Sequence, residues 1–249
     1  MTHSETSTGV INDLETISSH IRDHNTALSI VYCVTSLGAC NVPVDEWELD
    51  IVASGSQKGY MIPPGLSFIA ISQKAWKAAE KSNLPKFYLN LQSYRKSLLS
   101  NSNPYTPAVN LVFALDEALK MMKEEGLDNI FQRHNRHKLA MSNAVKALNL
   151  KLFADEKYLS PSITAVKTEG IDAEKFRKTI KNNFDILLAG GQDHMKGKIF
   201  RVGHLGYVND RDVITVVSAI SNTLLKLGKI TAQQAGEALV VASKYLERN

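Results

Sequence analysis

Three short runs rich in β-branched and aromatic residues, LSIVY at 28–32, LDIVA at 49–53 and LSFIAI at 66–71, restrict what the first third of this chain can fold into. Each has strand length, and turn-forming residues lie beside them: Asp23-His24-Asn25 before the first, Ser36-Leu37-Gly38 after it, and Pro63-Pro64-Gly65 before the third. Helical or irregular segments separate the runs, which predicts an α/β arrangement with helices covering a sheet. One such helix is expected over 14–23, where Leu14, Ile17, Ser18 and Ile21 share a face. Ligands of open α/β sheets sit beyond the strand ends, where residues 54–58 fall.

The pattern changes after Thr106. Pro107 suits a first helical turn, and Ala108, Leu111, Val112, Leu115, Ala118, Leu119 and Met122 keep helical spacing up to Gly126. A second helix is predicted over 130–148, with Arg133, His134, Arg136, His137 and Lys138 as a solvated charged face. Strands are then expected at 163–166, 186–189 and 198–202. Helices are expected at 172–184, at 210–227 with Asp210 as N-cap, and at 232–246 as a peripheral element. This mixture predicts a smaller α+β domain over 116–249 following an α/β domain over 1–115, with the boundary inside the long helix.

With 249 residues and 44% hydrophobic content, the chain can bury a sizeable core. Its 29 basic and 25 acidic side chains are dispersed, which argues against a nucleic-acid partner. No apolar run approaches the roughly 20 residues that span a bilayer, and the polar N-terminus MTHSETSTGV lacks a signal-peptide layout, so a cytoplasmic address is expected. Cys33 and Cys40 have neither CxxC spacing nor nearby histidines; they are expected to be reduced core residues, with no metal site.

The stretch SGSQKG at 54–59 places Lys58 a few residues past a predicted buried strand, among small and polar residues that can hydrogen-bond a ligand without filling its space. A lysine drawn out of water there is a candidate for covalent attachment to a carbonyl. Here the chain resembles a known family. DIVASGSQKG (50–59) with Pro63-Pro64-Gly65 is similar to the lysine segment of class V pyridoxal-phosphate aminotransferases, in the alanine/serine–glyoxylate and serine–pyruvate group. HSETSTGV (3–10), VTSLG (34–38), YTPAV (105–109) and RVGHLG (201–206) resemble four further motifs of that family, in its order.

The resemblance implies a partial aspartate-aminotransferase-like (fold type I) large domain followed by a small α+β C-terminal domain. It implies pyridoxal 5'-phosphate as cofactor, small amino acids and 2-oxo acids as substrates, and a homodimer. Lys58 would hold the cofactor and move the substrate proton. Arg201 would clamp the substrate carboxylate with its planar fork. Thr6 and Gln57 would bind the cofactor, and Thr106 would reach the neighbouring subunit's cofactor phosphate.

Two departures stand out. Where the family has an aspartate facing the pyridine nitrogen, this chain has Tyr32, whose phenol is neutral near pH 7 and larger. Loss of a buried charge partner costs on the order of 3–5 kcal/mol, roughly a hundredfold to several thousandfold in rate if felt in the barrier. Relative to the family, the chain is also expected to lack the N-terminal part of the large domain, with its phosphate-binding loop and ring-stacking aromatic residue. Transamination by this polypeptide is therefore expected to be weak or lost. A non-catalytic interaction subunit, of the kind some relatives' name "soluble hydrogenase small subunit" suggests, is the alternative; a C–S lyase lacks its reactive loop cysteine.

Overall fold

A computed structural model of the chain describes residues 1–24 and 26–247. A hairpin of β1 (Ser4–Glu5) and β2 (Val10–Ile11) leads into α1 (Leu14–Asp23), whose N-cap Asp13 accepts a hydrogen bond from the Thr16 amide. β3 (Ile30–Tyr32), β4 (Ile51–Gly55) and β5 (Ser67–Ile71) form a sheet in that order, β3 and β4 parallel, β4 and β5 antiparallel. Thr2 bridges Tyr32 in parallel and extends the edge. On one face Val31, Cys33 and Val52 pack with Leu14 and Leu49 into a small core. The other face carries the rows Ile30–Ile51–Ile71 and Tyr32–Ala53–Ile69, and there Ile30, Tyr32 and Ile69 are all about half exposed.

Two short helices, α2 (Gln73–Glu80) and α3 (Leu91–Leu99), lead to the long α4 (Val109–Glu125). Gly126, at φ +83°, ends α4 and starts α5 (Leu127–Ala147). Beyond α5 come β6 (Lys151–Leu152), β7 (Ile163–Lys167), α6 (Ala173–Phe184), β8 (Ala189–Gly190), β9 (Ile199–Gly203), α7 (Asp210–Lys226) and α8 (Ala232–Leu246). The second sheet runs β6-β7-β9-β8, antiparallel throughout. Its buried face and helices α5 to α8 enclose the main core, where Phe176 and Phe200 stack with centroids 5.2 Å apart among Met141, Leu148, Ile180 and Leu224.

Four expectations need correction. The face of α5 read as solvated is not: Ile130, His134, His137, Met141, Ala144 and Leu148 fall at spacings of 4, 3, 4, 3 and 4 on one buried stripe. α8 is not peripheral; it packs along α5 more extensively than any other two elements pack, through the buried small residues Ala238 and Ala242. The N-cap of α7 is Asn209 rather than Asp210, in a capping box with Asp212. Residues 186–188 are not a strand: Leu188 is buried and its carbonyl accepts from Arg177 Nε at 2.8 Å. Cys33 is buried; Cys40 is only partly so, and burial pushes its thiol up to about 12. Both thiols are free, so the chain keeps two protonated cysteines.

Candidate functional site

Lys58 lies three residues beyond the end of β4, in a loop that closes on itself. Ser56 is its clasp: Oγ donates to the Pro63 carbonyl at 2.8 Å and accepts from the Leu66 amide at 3.1 Å, while Ser56 N donates to the Leu66 carbonyl at 3.0 Å. Within it the Met61 amide donates to the Lys58 carbonyl at 3.0 Å. The VTSLG turn meshes with this loop glycine against glycine. A Cβ on Gly59 would sit 2.2 Å from the Leu37 carbonyl oxygen, and one on Gly38, at φ +81°, would sit 3.1 Å from Gly59 Cα. Only two glycines allow this approach. Lys58 is partly buried and Gln57 exposed. Asp50, which was not singled out as a functional residue, fixes the other end of β4. Its carboxylate accepts from Ser29 N at 3.0 Å and Ser72 Oγ at 2.7 Å.

Thr6 occupies the turn between β1 and β2, which docks on the second sheet. Gly9, at φ +72°, comes so close to β7 that a Cβ would stand 3.2 Å from Ala165 N. Ser4, Ser160 and Ser162 form a buried hydroxyl chain with steps of 2.8 Å, and Ser160 N donates to the Gly9 carbonyl at 2.9 Å. This docking brings Thr6 to Arg201, which projects from β9 between its cross-strand partners Ala165 and Ala189. Arg201 Nε donates to the Gly190 carbonyl at 2.8 Å and Nη1 to the Thr6 carbonyl at 2.7 Å. The side chain is thereby held across two elements, with further N–H groups of its fork left for an anion. Burial first, then the Arg177 charge, lower its proton affinity, and Glu5 opposes them.

His204, the residue after β9 and likewise not singled out, steadies this strand end. Its Nδ1 faces the Pro161 carbonyl at 3.0 Å, so that nitrogen carries the proton and Nε2 accepts from Thr164 Oγ1 at 2.9 Å. Complete burial pushes it down to about 3, so the ring is neutral. The histidine of RVGHLG was visible in the sequence; its partners were not.

Tyr32, Thr6, Val31 and Ala53 line one groove of about 520 Å³. Backbone bonds fix Tyr32 on both sides, from its N to the Met1 carbonyl at 2.9 Å and from His3 N to its carbonyl at 3.0 Å. The structure thus brings Thr6, Tyr32 and Arg201 together, with Gln57 and Lys58 on the loop after the neighbouring strand. Thr106 lies apart, exposed in a hollow formed by residues 102–107. Among the described residues, no three His, Cys, Asp or Glu side chains are grouped to hold a metal, and no helix is long and apolar enough to cross a membrane.

The profile of the family Aminotransferase class-V matches residues 1–212. A relative in Synechococcus sp. (strain PCC 6716), named "Soluble hydrogenase, small subunit", is 57% identical over 99% of this chain and 64% of its own length. A serine–glyoxylate aminotransferase of Methylorubrum extorquens is 35% identical over 99% of the chain and 63% of its own. The solved structure of ureidoglycine–glyoxylate aminotransferase from Bacillus subtilis matches with a TM-score of 0.88 at 33% identity, covering 98% of this chain and 64% of that one. Pyridoxamine–pyruvate aminotransferase from Mesorhizobium loti matches at 0.91 with 27% identity, covering 98% and 63%. The chain thus spans a little under two thirds of each of these relatives. With matching motifs, profile and architecture, it belongs to the class-V aminotransferase family and has the fold of part of a type I large domain followed by the C-terminal domain.

Proposed function

We propose that the chain binds pyridoxal 5'-phosphate through Lys58 and transfers the amino group of a small amino acid, alanine or serine, to glyoxylate or pyruvate. The observation carrying this reading is the tie between Arg201 and Thr6, which sets a largely buried guanidinium against the residue that lines the groove beside Tyr32. Three side chains have the chemistry the cofactor needs: an amine at Lys58, an amide at Gln57 and a hydroxyl at Thr6. The groove has the volume of a small-molecule site. The residues differ at Tyr32, where a phenol faces a position that a carboxylate would serve.

The cofactor, when bound, supplies a sink for the electron pair released as an amino acid loses its α-proton. Arg201 orients the substrate by its carboxylate, which an arginine fork does with two parallel bonds. The Lys58 amine would take that proton from the α-carbon and hold it for return, and the glycine-locked loop limits where the amine can stand. Tyr32 offers no counter-charge, so turnover is slow. Thr106 serves a second copy of the chain: Phe87, Leu89, Leu98, Leu99 and Phe113, exposed around it in sequence, supply the apolar surface of a homodimer.

Borohydride reduction of the chain mixed with pyridoxal phosphate tests the reading. Mass spectrometry is expected to find the reduced adduct on Lys58 and none after Lys58→Ala; an unlabelled Lys58 refutes it. The relatives named as hydrogenase subunits favour a second reading, a non-catalytic subunit. That reading predicts no adduct and a stable complex with another protein.

A further inference from the structure

We propose that Glu125, Arg133 and His134, on the two long helices of the second half, are positioning residues for Lys58. The inference rests on the reading of Lys58 as the cofactor-binding amine, and its argument begins at Gly206. This residue, at φ +84°, stacks on the lysine loop so closely that a Cβ would stand 3.3 Å from the Lys58 carbonyl oxygen and 3.4 Å from Met61 Cγ. The turn around Gly206 is therefore the floor on which the Lys58–Met61 turn rests.

Both polar groups of Gly206 are committed to α5. Its N–H donates to His134 Nε2 at 3.1 Å, and its carbonyl accepts from Arg133 Nη1 at 2.9 Å. Arg133 Nη1 also donates to the Val208 carbonyl at 3.0 Å, so one guanidinium spans the turn. Its remaining edge is bidentate to Glu125, with Nε to Oε1 at 2.6 Å and Nη2 to Oε2 at 2.9 Å. The fork is thus fixed in direction by a carboxylate at the end of α4, which only a planar guanidinium permits.

His134 is equally specified. Nδ1 lies 2.8 Å from the Ile130 carbonyl and must carry the proton, so Nε2 presents a lone pair to Gly206. Burial keeps the ring neutral, down to about 4. None of the three side chains lines the groove that Thr6 and Tyr32 share. Their effect on the amine passes through the backbone of 204–208 and the loop above it.

The test uses the 249-residue chain and two readouts. Hydrogen–deuterium exchange of the Met61 and Ile62 amides, which close the lysine loop, reports positioning without cofactor. The rate of borohydride-trapped labelling of Lys58 by pyridoxal phosphate reports the amine. Arg133→Gln and His134→Leu are expected to speed exchange and slow labelling about tenfold each. Arg133→Lys, which lacks the fork, is expected not to restore either, whereas His134→Gln, which keeps an acceptor for the Gly206 amide, restores both. His137→Gln is the control: it sits on the same buried stripe but bonds Asp210 and not Gly206. Its loop exchange is expected to stay within twofold of the parent.

Unchanged exchange in Arg133→Gln and His134→Leu overturns the proposal, as does an equal change in His137→Gln. If the parent takes no label, the cofactor reading fails, and loop exchange alone still decides whether the brace positions the loop.

Discussion

In the proposed function, Tyr32 is the residue that limits turnover. It lies on an exposed row of the first sheet, about half accessible, beside Ala53 and across the groove from Thr6. A shorter, charged side chain is therefore accommodated there without opening a cavity. Tyr32→Asp is expected to keep Lys58 labelling and raise turnover of alanine with glyoxylate at least tenfold, because a carboxylate can stabilise a cationic pyridine ring. A steady-state assay showing no gain refutes the role proposed for Tyr32. At this scale the family was legible from the ordered motifs that hold Thr6, Lys58 and Arg201, whereas the bond that joins Thr6 to Arg201 was not. His134 was not, because its polar letter hides its place on the apolar stripe with Ile130 and Met141. Asn209 was missed for a related reason: Asp210 is an equally good cap by composition, and only the reciprocal bonds with Asp212 choose between them.

Among the elements, α5 and the end of β9 each carry a buried histidine. His134, buried and pushed down to about 4, and His204, pushed to about 3, are both neutral in the folded state, while the same side chains titrate near 6.5 when unfolded. The unfolded chain therefore binds more protons below pH 6.5. The stability these histidines contribute is whole above that pH and is lost as pH falls towards 4 and 3. By pH 5 the loss is about 2 kcal/mol for each. Urea unfolding is expected to show a lower midpoint at pH 5 than at pH 7.5; a midpoint that does not move contradicts the assignment. Helix positions were readable from periodicity in α1, α4, α6 and α7. The short strands were less so: the run at 28–32 forms a strand only over Ile30–Tyr32, and β4 starts two residues later than its apolar pattern. Their ends are set by partners such as Thr2 and Asp50, which periodicity does not see.

Among the described residues, the molecule has one large core, one small core and one sheet with an open apolar face. Ile30 and Ile69 there, and Leu84, Phe87, Leu89, Leu98, Leu99 and Phe113 along the following third of the chain, are large apolar side chains left exposed, and exposed apolar patches mark interaction surfaces. Sedimentation velocity is expected to find concentration-dependent association at micromolar chain. Leu99→Lys combined with Phe113→Lys is expected to weaken it at least tenfold; a concentration-independent monomer contradicts the dimer proposal. The two-part organisation was visible as a change of pattern after Thr106. What the pattern could not reveal is that the hairpin of residues 4–11 belongs to both parts, packed on β7 although it comes first in the chain.

The bond between Thr6 and Arg201 joins residues 195 apart. Contacts of such separation form late, because the entropy of closing the loop is lost before any other long-range contact repays it. During synthesis at about 5–20 residues per second, the Thr6 turn waits roughly 10–40 s for Arg201 to emerge. The tie between Thr6 and Arg201 thus cannot form until residue 201 has emerged, and whatever holds the first ten residues meanwhile sets how often it forms correctly.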